Sequence, residues 1–487
     1  MKELALIAGP LIFAAVAFVW RGERTRPWLL PCAGGLHAGV ALWLLIQPPE
    51  PVPGAWFGFD SLARAVLPMV SLLFFVCSIY AVGYLRVRAE RGNRLFVSTL
   101  LVLLGFLSLA VQAQHLGLLW VAAEAATLMT VPLIHFNGTA RAFEASWKYL
   151  LVGGTGIALS LLGSFCLGYA SLNAGGSGDL TFHSLTGQFL QLPAAMAKYS
   201  HPWLVAAWVL LLVGYGTKMG LAPMHTWKPD VYGEAPGIVG ALLAGGTTTM
   251  AFVAVLRVKQ VIEAAGIAES QMTQRTLLAI GLFSMLVAAL FLLGTPDFKR
   301  MLAYSSVEHM GILAVGAALG RAGIWAALFH VWTNSLTKGA LFLSAGNIRR
   351  AAGGRDLQSV AGMAWCAPLS ARMFVAGLFA ITACPPFGPF FSELLVVRTA
   401  FASGSLFTAV TFLACLLFAF FGLTRVVFAI VDGRPRFAAR ARVNRFRELP
   451  WVVLPPLAFL VFSIWIGLAT PPLLAQAWTE AVKMLFP

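Results

Sequence analysis

The sequence predicts an all-α integral membrane protein of about fourteen transmembrane helices, and three observations predict it. Hydrophobic residues fill 59% of the 487 positions and charged ones only 11%. A soluble domain carries about a quarter charged residues, so a water-solvated surface of ordinary size cannot be assembled here. Apolar runs recur from Leu4 to Leu473, most of them near the ~20 residues a helix needs to cross hydrocarbon. In lipid the backbone must satisfy its own hydrogen bonds, which leaves helices or closed barrels. Runs this long are helical and lack the alternation of barrel strands. Basic residues, thirdly, gather in every second connection.

In chain order the spans fall at 3–20, 27–47, 61–85, 95–112, 114–135, 147–171, 202–227, 236–256, 276–294, 301–320, 323–347, 362–400 (interrupted), 404–431 and 449–471. The first begins at once, with no small-residue cleavage site before a soluble domain, and reads as a span and not as a signal peptide. Arg21, Arg24 and Arg26 follow span one, and Arg86, Arg88, Arg91 and Arg94 follow span three. Lys299 and Arg300 follow span nine; Arg349, Arg350 and Arg355 follow span eleven. Arg434, Arg436, Arg440, Arg442, Arg445 and Arg447 follow span thirteen. The intervening connections are poor in Lys and Arg, except for Arg257, Lys259 and Arg275 after span eight. By the positive-inside rule the basic set is cytoplasmic and both termini face outward, in a bacterial inner membrane.

The net charge of +15 invites a nucleic-acid reading, but the arginines track the connections between spans and suit anionic headgroups instead. Cys32, Cys77, Cys166, Cys366, Cys384 and Cys415 are isolated in or beside apolar segments and show no CxxC spacing. No iron–sulfur, zinc or disulfide framework is expected of them, and no metal site is expected.

Ionisable groups inside the spans carry the functional signal. Each costs about 2.5–3.5 kcal/mol at the bilayer centre on insertion scales, so several together are not accidents. Glu124 stands mid-span in LLWVAAEAATLMTVPLI, and Lys218 stands in VGYGTKMGLAPMHTW just before a Gly-Leu-Ala-Pro interruption, with His225 after it. Span eleven carries His330, Asn334 and Lys338 at four-residue steps, which puts them on one helical face. Glu393 follows the Cys-Pro-Pro-Phe-Gly-Pro break of span twelve. Glu308 and His309 lie in span ten, near enough to its end for a headgroup location to compete with a buried one; His309 reads first as a satisfied core histidine. Glu144 and Lys148 read first as an i, i+4 surface pair at the entry of span six. Lys338 has snorkelling toward an interface as its plain alternative. Acid, base and imidazole together suit proton transfer, because burial disfavours the charged form of each and neighbouring opposite charges restore it.

The interruptions at Gly220–Pro223 and Pro385–Pro389 break spans seven and twelve beside charged residues. Paired broken helices point to inverted repeats with an ion path at mid-membrane. The expected division is a three-span segment 1–94, halves of five spans each at 95–257 and 258–431, and a basic loop with the last span at 432–487.

From about Asp60 to Ala429 the chain resembles the antiporter-like membrane subunits of respiratory complex I, of Mrp-type cation/proton antiporters and of membrane-bound nickel–iron hydrogenases. WVAAEAATL, EASWKYLLVGGTGIALSLLG, KMGLAPMHTWKPDVYGEAP, DFKRMLAYSSVEHMGIL, NSLTKGALFLSAGNI and PPFGPFFSELLV carry the resemblance. EASWKYL and SSVEHMGI are most similar to the hydrogenase-4 and formate-hydrogenlyase type subunit. The resemblance implies that Glu124 and Lys218 form the charged pair of the first half-channel. Lys338 and His330 would belong to a central hydrophilic axis and Glu393 would be the exit-side group. Three departures stand out: Thr249 takes the place of a span-eight lysine, Lys228 stands where the Trp-x-Pro motif is usually apolar, and Asn334 stands where a second histidine is usual. Three readings of the missing lysine stay open: a water chain along Thr247–Thr249 in its place, loss of pumping, or a different transported species.

The leading expectation is a proton-translocating subunit driven by redox chemistry in partner subunits, with no cofactor of its own and protons or another monovalent cation as cargo. An inorganic-carbon uptake subunit with a carbonic-anhydrase-like partner is the alternative. A passive scaffold predicts that Glu124→Gln and Lys218→Ala leave transport untouched. An intramembrane transferase would want acidic clusters and a sizeable outer loop, whereas the largest outer loop, 172–201, holds only Asp179 and Lys198 as charged residues.

Overall fold

The computed structural model describes residues 2–50, 52, 54–88, 90–192, 194–433 and 447–486. Arg434, Arg436, Arg440, Arg442 and Arg445 of the basic loop lie outside the described residues. Among the described residues the chain is helical, with isolated bridges such as Phe57 to Ala113 and His115 to Thr181 and no strand. The helices are α1 Ala5–Val19, α2 Leu29–Ile46, α3 Ser61–Val87, α4 Arg94–Gln112, α5 Leu116–Ile134, α6 Ala140–Asn173, α7 Phe182–Leu190 and α8 Ala194–Met219. They continue with α9 Trp227–Glu234, α10 Gly237–Leu242, α11 Thr248–Glu263, α12 Ile267–Gly294, α13 Phe298–Ala318, α14 Gly320–Ala352 and α15 Met363–Cys366. The last are α16 Pro368–Ile381, α17 Gly388–Ala402, α18 Leu406–Asp432, α19 Pro450–Leu468 and α20 Pro472–Leu485. A π-helical turn, Leu243–Thr247, joins α10 to α11 in one rod.

Ten of these rods are long and apolar enough to cross a membrane, and α1 and α16 are shorter apolar helices. The long helices α13 and α14 fall outside that apolar set; they are the ones with charged side chains along their length. Side-chain caps set several helix starts: Asp60 accepts from Ala63 N at 2.8 Å and Asp297 from Lys299 N at 2.9 Å, which satisfies first-turn donors that have no partner within the helix. The whole apolar stretch of Gly237–Glu263 is buried, against 39% in α6 and α18. The α10–α11 rod is thus the centre of the bundle, and α6 and α18 turn apolar side chains such as Leu151, Phe165, Phe421 and Phe428 outward.

Both expected interruptions are present. α8 stops at Met219, and the chain turns through Gly220, whose φ is +74°, before α9. α16 and α17 are separated at Thr382–Phe387, where Ala383 has a φ of 55°, a region that side chains rarely enter. The amphipathic helix α20, packed against α3 and α14, lies beyond the last expected span. Its Glu480 pairs with Arg64 of α3.

The charged connections sort to two faces. On one, Arg26 bonds Asn93 at 2.5 Å, Asn137 reaches Glu234 O at 3.1 Å, and Arg355 bonds Asp297 at 2.7 Å. On the other, Arg257 bonds Asp60 at 2.6 and 3.1 Å, and Lys259 bonds Glu263 at 2.6 Å. These two cations broke the alternation of basic connections in the sequence. Each is buried and neutralised by its own carboxylate, so neither acts as a free positive charge.

Candidate functional site

α5 and α8 bring the first pair together. Lys218, in the last turn of α8 and 1% exposed, places Nζ 3.6 Å from Glu124 Oε2 and donates to Thr127 Oγ1 at 2.5 Å. Thr127 lies three residues after Glu124 and so shares its face of α5. Glu124 is a quarter exposed, and its Oε2 has no hydrogen-bond partner. Gly153 of α6 leaves room for the ammonium, since a Cβ there would stand 3.0 Å from Nζ.

Lys338 of α14 is fully buried and donates to Ser305 Oγ at 2.8 Å, which removes the snorkelling alternative. Glu308 and Glu393 are the acids whose fields reach it. Glu308 and His309 sit mid-way along α13 and are buried, so the headgroup location does not hold. His309 is only partly satisfied as a core histidine: its Nε2, beside the Ile381 backbone, makes no hydrogen bond of good geometry, and its ring stacks on His330 at 5.1 Å between centroids. His309 Nδ1 lies 3.0 Å from His330 Nε2 and 3.7 Å from Glu393 Oε1. His330 Nδ1 meets Ser392 Oγ at 2.9 Å. Neither carboxylate oxygen of Glu393 has a hydrogen-bond partner, although the side chain is buried. Ligand atoms of His309, His330 and Glu393 lie within 4.8 Å of one another, so among the described residues these three have the spacing to hold a metal ion. The 3.0 Å nitrogen–nitrogen distance is hydrogen-bond spacing. Asn334 is buried one turn from both His330 and Lys338 with its Oδ1 unpaired.

Two expected relay elements look different in place. Thr248 donates back to Ala244 O at 2.7 Å, and Thr247 and Thr249 are buried, Thr247 Oγ1 without a partner. Glu144 and Lys148 do more than pair along a helix surface at 2.7 Å: Lys148 also bonds Asp230 at 2.9 Å, and Asp230 bonds Arg300 at 2.5 Å. They line a polar cavity of about 450 Å³ with Glu234, Asp297, Tyr304 and Arg355. The ring of His225 lies 6.3 Å from Tyr304, with Nδ1 unpaired. Sequence reasoning missed Asp230 and Glu234. Both stand in the KPDVYGE segment, where two acids within one short helix were the available signal.

A helical bundle with buried acid–lysine and acid–imidazole groups beside two broken helices matches known proteins along its length. The membrane region described as "NADH:quinone oxidoreductase/Mrp antiporter, TM" matches residues 113–419, somewhat less than the stretch over which the resemblance was read. The chain belongs to that family. It is an antiporter-like membrane subunit of the group that includes complex I, membrane-bound hydrogenase and Mrp proteins. It is 33% identical over 417 residues to the hydrogenase-4 component F homolog of Methylacidiphilum infernorum, covering 84% of this chain and 86% of that one. It is 30% identical over 472 residues to NADH-quinone oxidoreductase subunit N of Desulforudis audaxviator, covering 95% and 88%. The same fold recurs in a chain of the membrane-bound sulfane sulfur reductase, an archaeal respiratory complex, with a TM-score of 0.85, 21% identity and 99% and 97% coverage. It recurs in the Mrp complex of Dietzia sp. with a TM-score of 0.83, 20% identity and 100% and 98% coverage. None of these relatives points to inorganic-carbon uptake or to a carbonic-anhydrase-like partner.

Proposed function

We propose that this antiporter-like subunit moves protons across the membrane, driven by redox partner subunits of a complex of the hydrogenase or NADH:quinone oxidoreductase kind. The observation that carries the reading is the Glu124–Lys218 pair, 3.6 Å apart at the end of a broken helix, with a lysine 1% exposed. A buried ammonium left beside a carboxylate oxygen with no hydrogen bond is poorly suited to structural glue. It is well suited to accepting and releasing a proton. Lys338, Glu308, His309, His330 and Glu393 continue the chain of exchangeable groups toward the second break, while the cavity at Glu144, Lys148 and Asp230 offers a hydrated mouth near His225.

The rest of the reading follows the membrane. About fourteen crossings are obtained when α1, the α16–α17 pair and the charged rods α13 and α14 are counted with the apolar ones. The two breaks support inverted halves at 95–257 and 258–431, flanked by segments 1–94 and 432–487. The basic connections support a cytoplasmic location for their face, outward termini and an inner-membrane setting. Redox cofactors belong to the partners in this reading, and protons or another monovalent cation are the cargo.

The test uses the complex purified from its native membrane and sealed into liposomes. Protons moved per redox turnover are compared between wild type and Lys218→Ala or Glu124→Gln. A loss in both supports transport; unchanged transport in both favours the scaffold reading.

A further inference from the structure

Most buried cations of this chain have an anion or several carbonyls to hold them. Lys218 has Glu124, Arg257 has Asp60, Lys259 has Glu263, and Lys299 has Gly233 O and Ala235 O at 3.2 and 2.6 Å. Lys228 of α9 differs. It is fully buried, and among the described residues its Nζ donates only to Ser306, to Oγ at 3.1 Å and to O at 3.5 Å. No carboxylate is paired with it among the described residues; the charge whose field reaches it is another cation, Lys338. An uncompensated buried ammonium is strongly destabilising, so a lysine kept here calls for another explanation.

Its position supplies one. Lys338 bonds Ser305 and Lys228 bonds Ser306, so two amines hang from adjacent serines of α13. On the other side Lys228 lies against Gly220, two residues from Lys218; a Cβ at Gly220 would stand 2.5 Å from Lys228 Cδ and 3.0 Å from Nζ. A run of three aromatic rings leads from one lysine to the other. The ring of Tyr149 lies 5.8 Å from Lys218 Nζ and 5.0 Å from the ring of Trp227, which is 6.1 Å from Tyr232. The ring of Tyr232 lies 5.9 Å from Lys228 Nζ. The hydroxyls of Tyr149 and Tyr232 are both buried; Thr127 and Thr130 lie beside the first and Ser306 beside the second, but neither hydroxyl makes a hydrogen bond of good geometry. Buried hydroxyls held this weakly mark a place for ordered water.

We propose that Lys228 is a proton-carrying group that joins the Glu124–Lys218 pair to the Lys338 cluster, by way of water held at the Tyr149 and Tyr232 hydroxyls. An N–H bond breaks at Lys218, the proton crosses that water, and an N–H bond forms at Lys228 Nζ. Release to Lys338 across the Ser305–Ser306 step returns Lys228 to the free amine. Two ammoniums on neighbouring serines in a dry interior repel strongly, so one excess proton at a time occupies the two lysines. The inference rests on the proton-transfer reading above.

The test measures protons moved per redox turnover in the native complex reconstituted into liposomes, for Lys228→Leu, Lys228→Arg and Lys228→His beside Lys218→Ala. Expected is a loss of about 100-fold or more in Lys228→Leu, the scale of one removed proton-transfer group. Lys228→Arg keeps the charge but holds its proton, and transport should stay lost. Lys228→His should restore part of it with a pH profile displaced from that of wild type. Unchanged transport in Lys228→Leu overturns the proposal, as does Lys228→Arg working as well as Lys228→His. If the leucine variant does not assemble, the contrast between arginine and histidine decides alone. Loss in Lys218→Ala with none in Lys228→Leu would sink this inference and leave the transport reading standing.

Discussion

Lys218 lies 3.6 Å from Glu124, yet its short hydrogen bond, at 2.5 Å, goes to Thr127. The ammonium is thus divided between a carboxylate and a hydroxyl on one face of α5, and a small movement of Nζ exchanges one partner for the other. Thr127→Val removes the hydroxyl while keeping the shape, and Lys218 should settle on Glu124. The expected outcome is transport lowered about tenfold, the weight of one hydrogen bond to a charged group, with assembly unchanged. Proton flux into liposomes checks the first, and co-purification of the complex the second.

Two glycines where α6 and α8 meet separate function from folding. At Gly153 a new Cβ meets the end of the Lys218 side chain, 3.0 Å from Nζ, and that end can shift. Gly153→Ala should therefore assemble and transport poorly. At Gly214 the new Cβ meets backbone, 2.5 Å from Gly156 O and 2.9 Å from Ser160 N, where α6 and α8 pack together. Overpacking of this kind costs about 1–3 kcal/mol or more, so Gly214→Ala should lower the thermal unfolding midpoint of the detergent-solubilised protein. Equal midpoints for the two variants would contradict the assignment.

Arg257 and Asp60 form a two-bonded pair across 197 residues, with the arginine 1% exposed. Asp60→Asn leaves a buried guanidinium without its counter-ion. A destabilisation of about 3–5 kcal/mol is expected, and Asp60→Asn/Arg257→Met should recover part of it. Thermal unfolding of the three proteins measures both steps. Transport per assembled complex should be unchanged, because this pair joins the start of α3 to α11, away from the lysine chain.

At the second break, His309, His330 and Glu393 act in series if they pass the same proton. Glu393→Gln and His330→Phe should then each lower transport by about 100-fold. The double variant should be no worse than either one, since groups acting as a unit are not additive. Multiplying losses in the double variant would show two independent routes instead.

Much of this site could be read along the chain. Glu124, Lys218, Lys338 and Glu393 were visible because each interrupts an apolar run, where a charge is expensive whatever it touches. The four-residue spacing of His330, Asn334 and Lys338 put them on one face, as found. Glu308 and His309 were harder to read. Their distance from a span end was ambiguous in sequence, and packing between α12 and α14 resolved it. Glu144 and Lys148 looked like a plain helix pair because Asp230, their third partner, lies 82 residues from Lys148. The terminal helix α20 was missed since its apolar residues fill one stripe and not a whole span.

By itself the sequence determined that this chain is helical, lives in lipid and keeps acids and bases within it. Those are local properties: hydropathy, helical period and breaks are set by neighbouring residues. Only the tertiary structure decided which groups meet. Lys218 with Thr127 spans 91 residues and Lys228 with Ser306 spans 78, and such contacts arise from helices packing side by side. Lys228 stands out in the sequence as a charge at a usually apolar position, but only the packed helices show that it is buried with no carboxylate paired to it among the described residues.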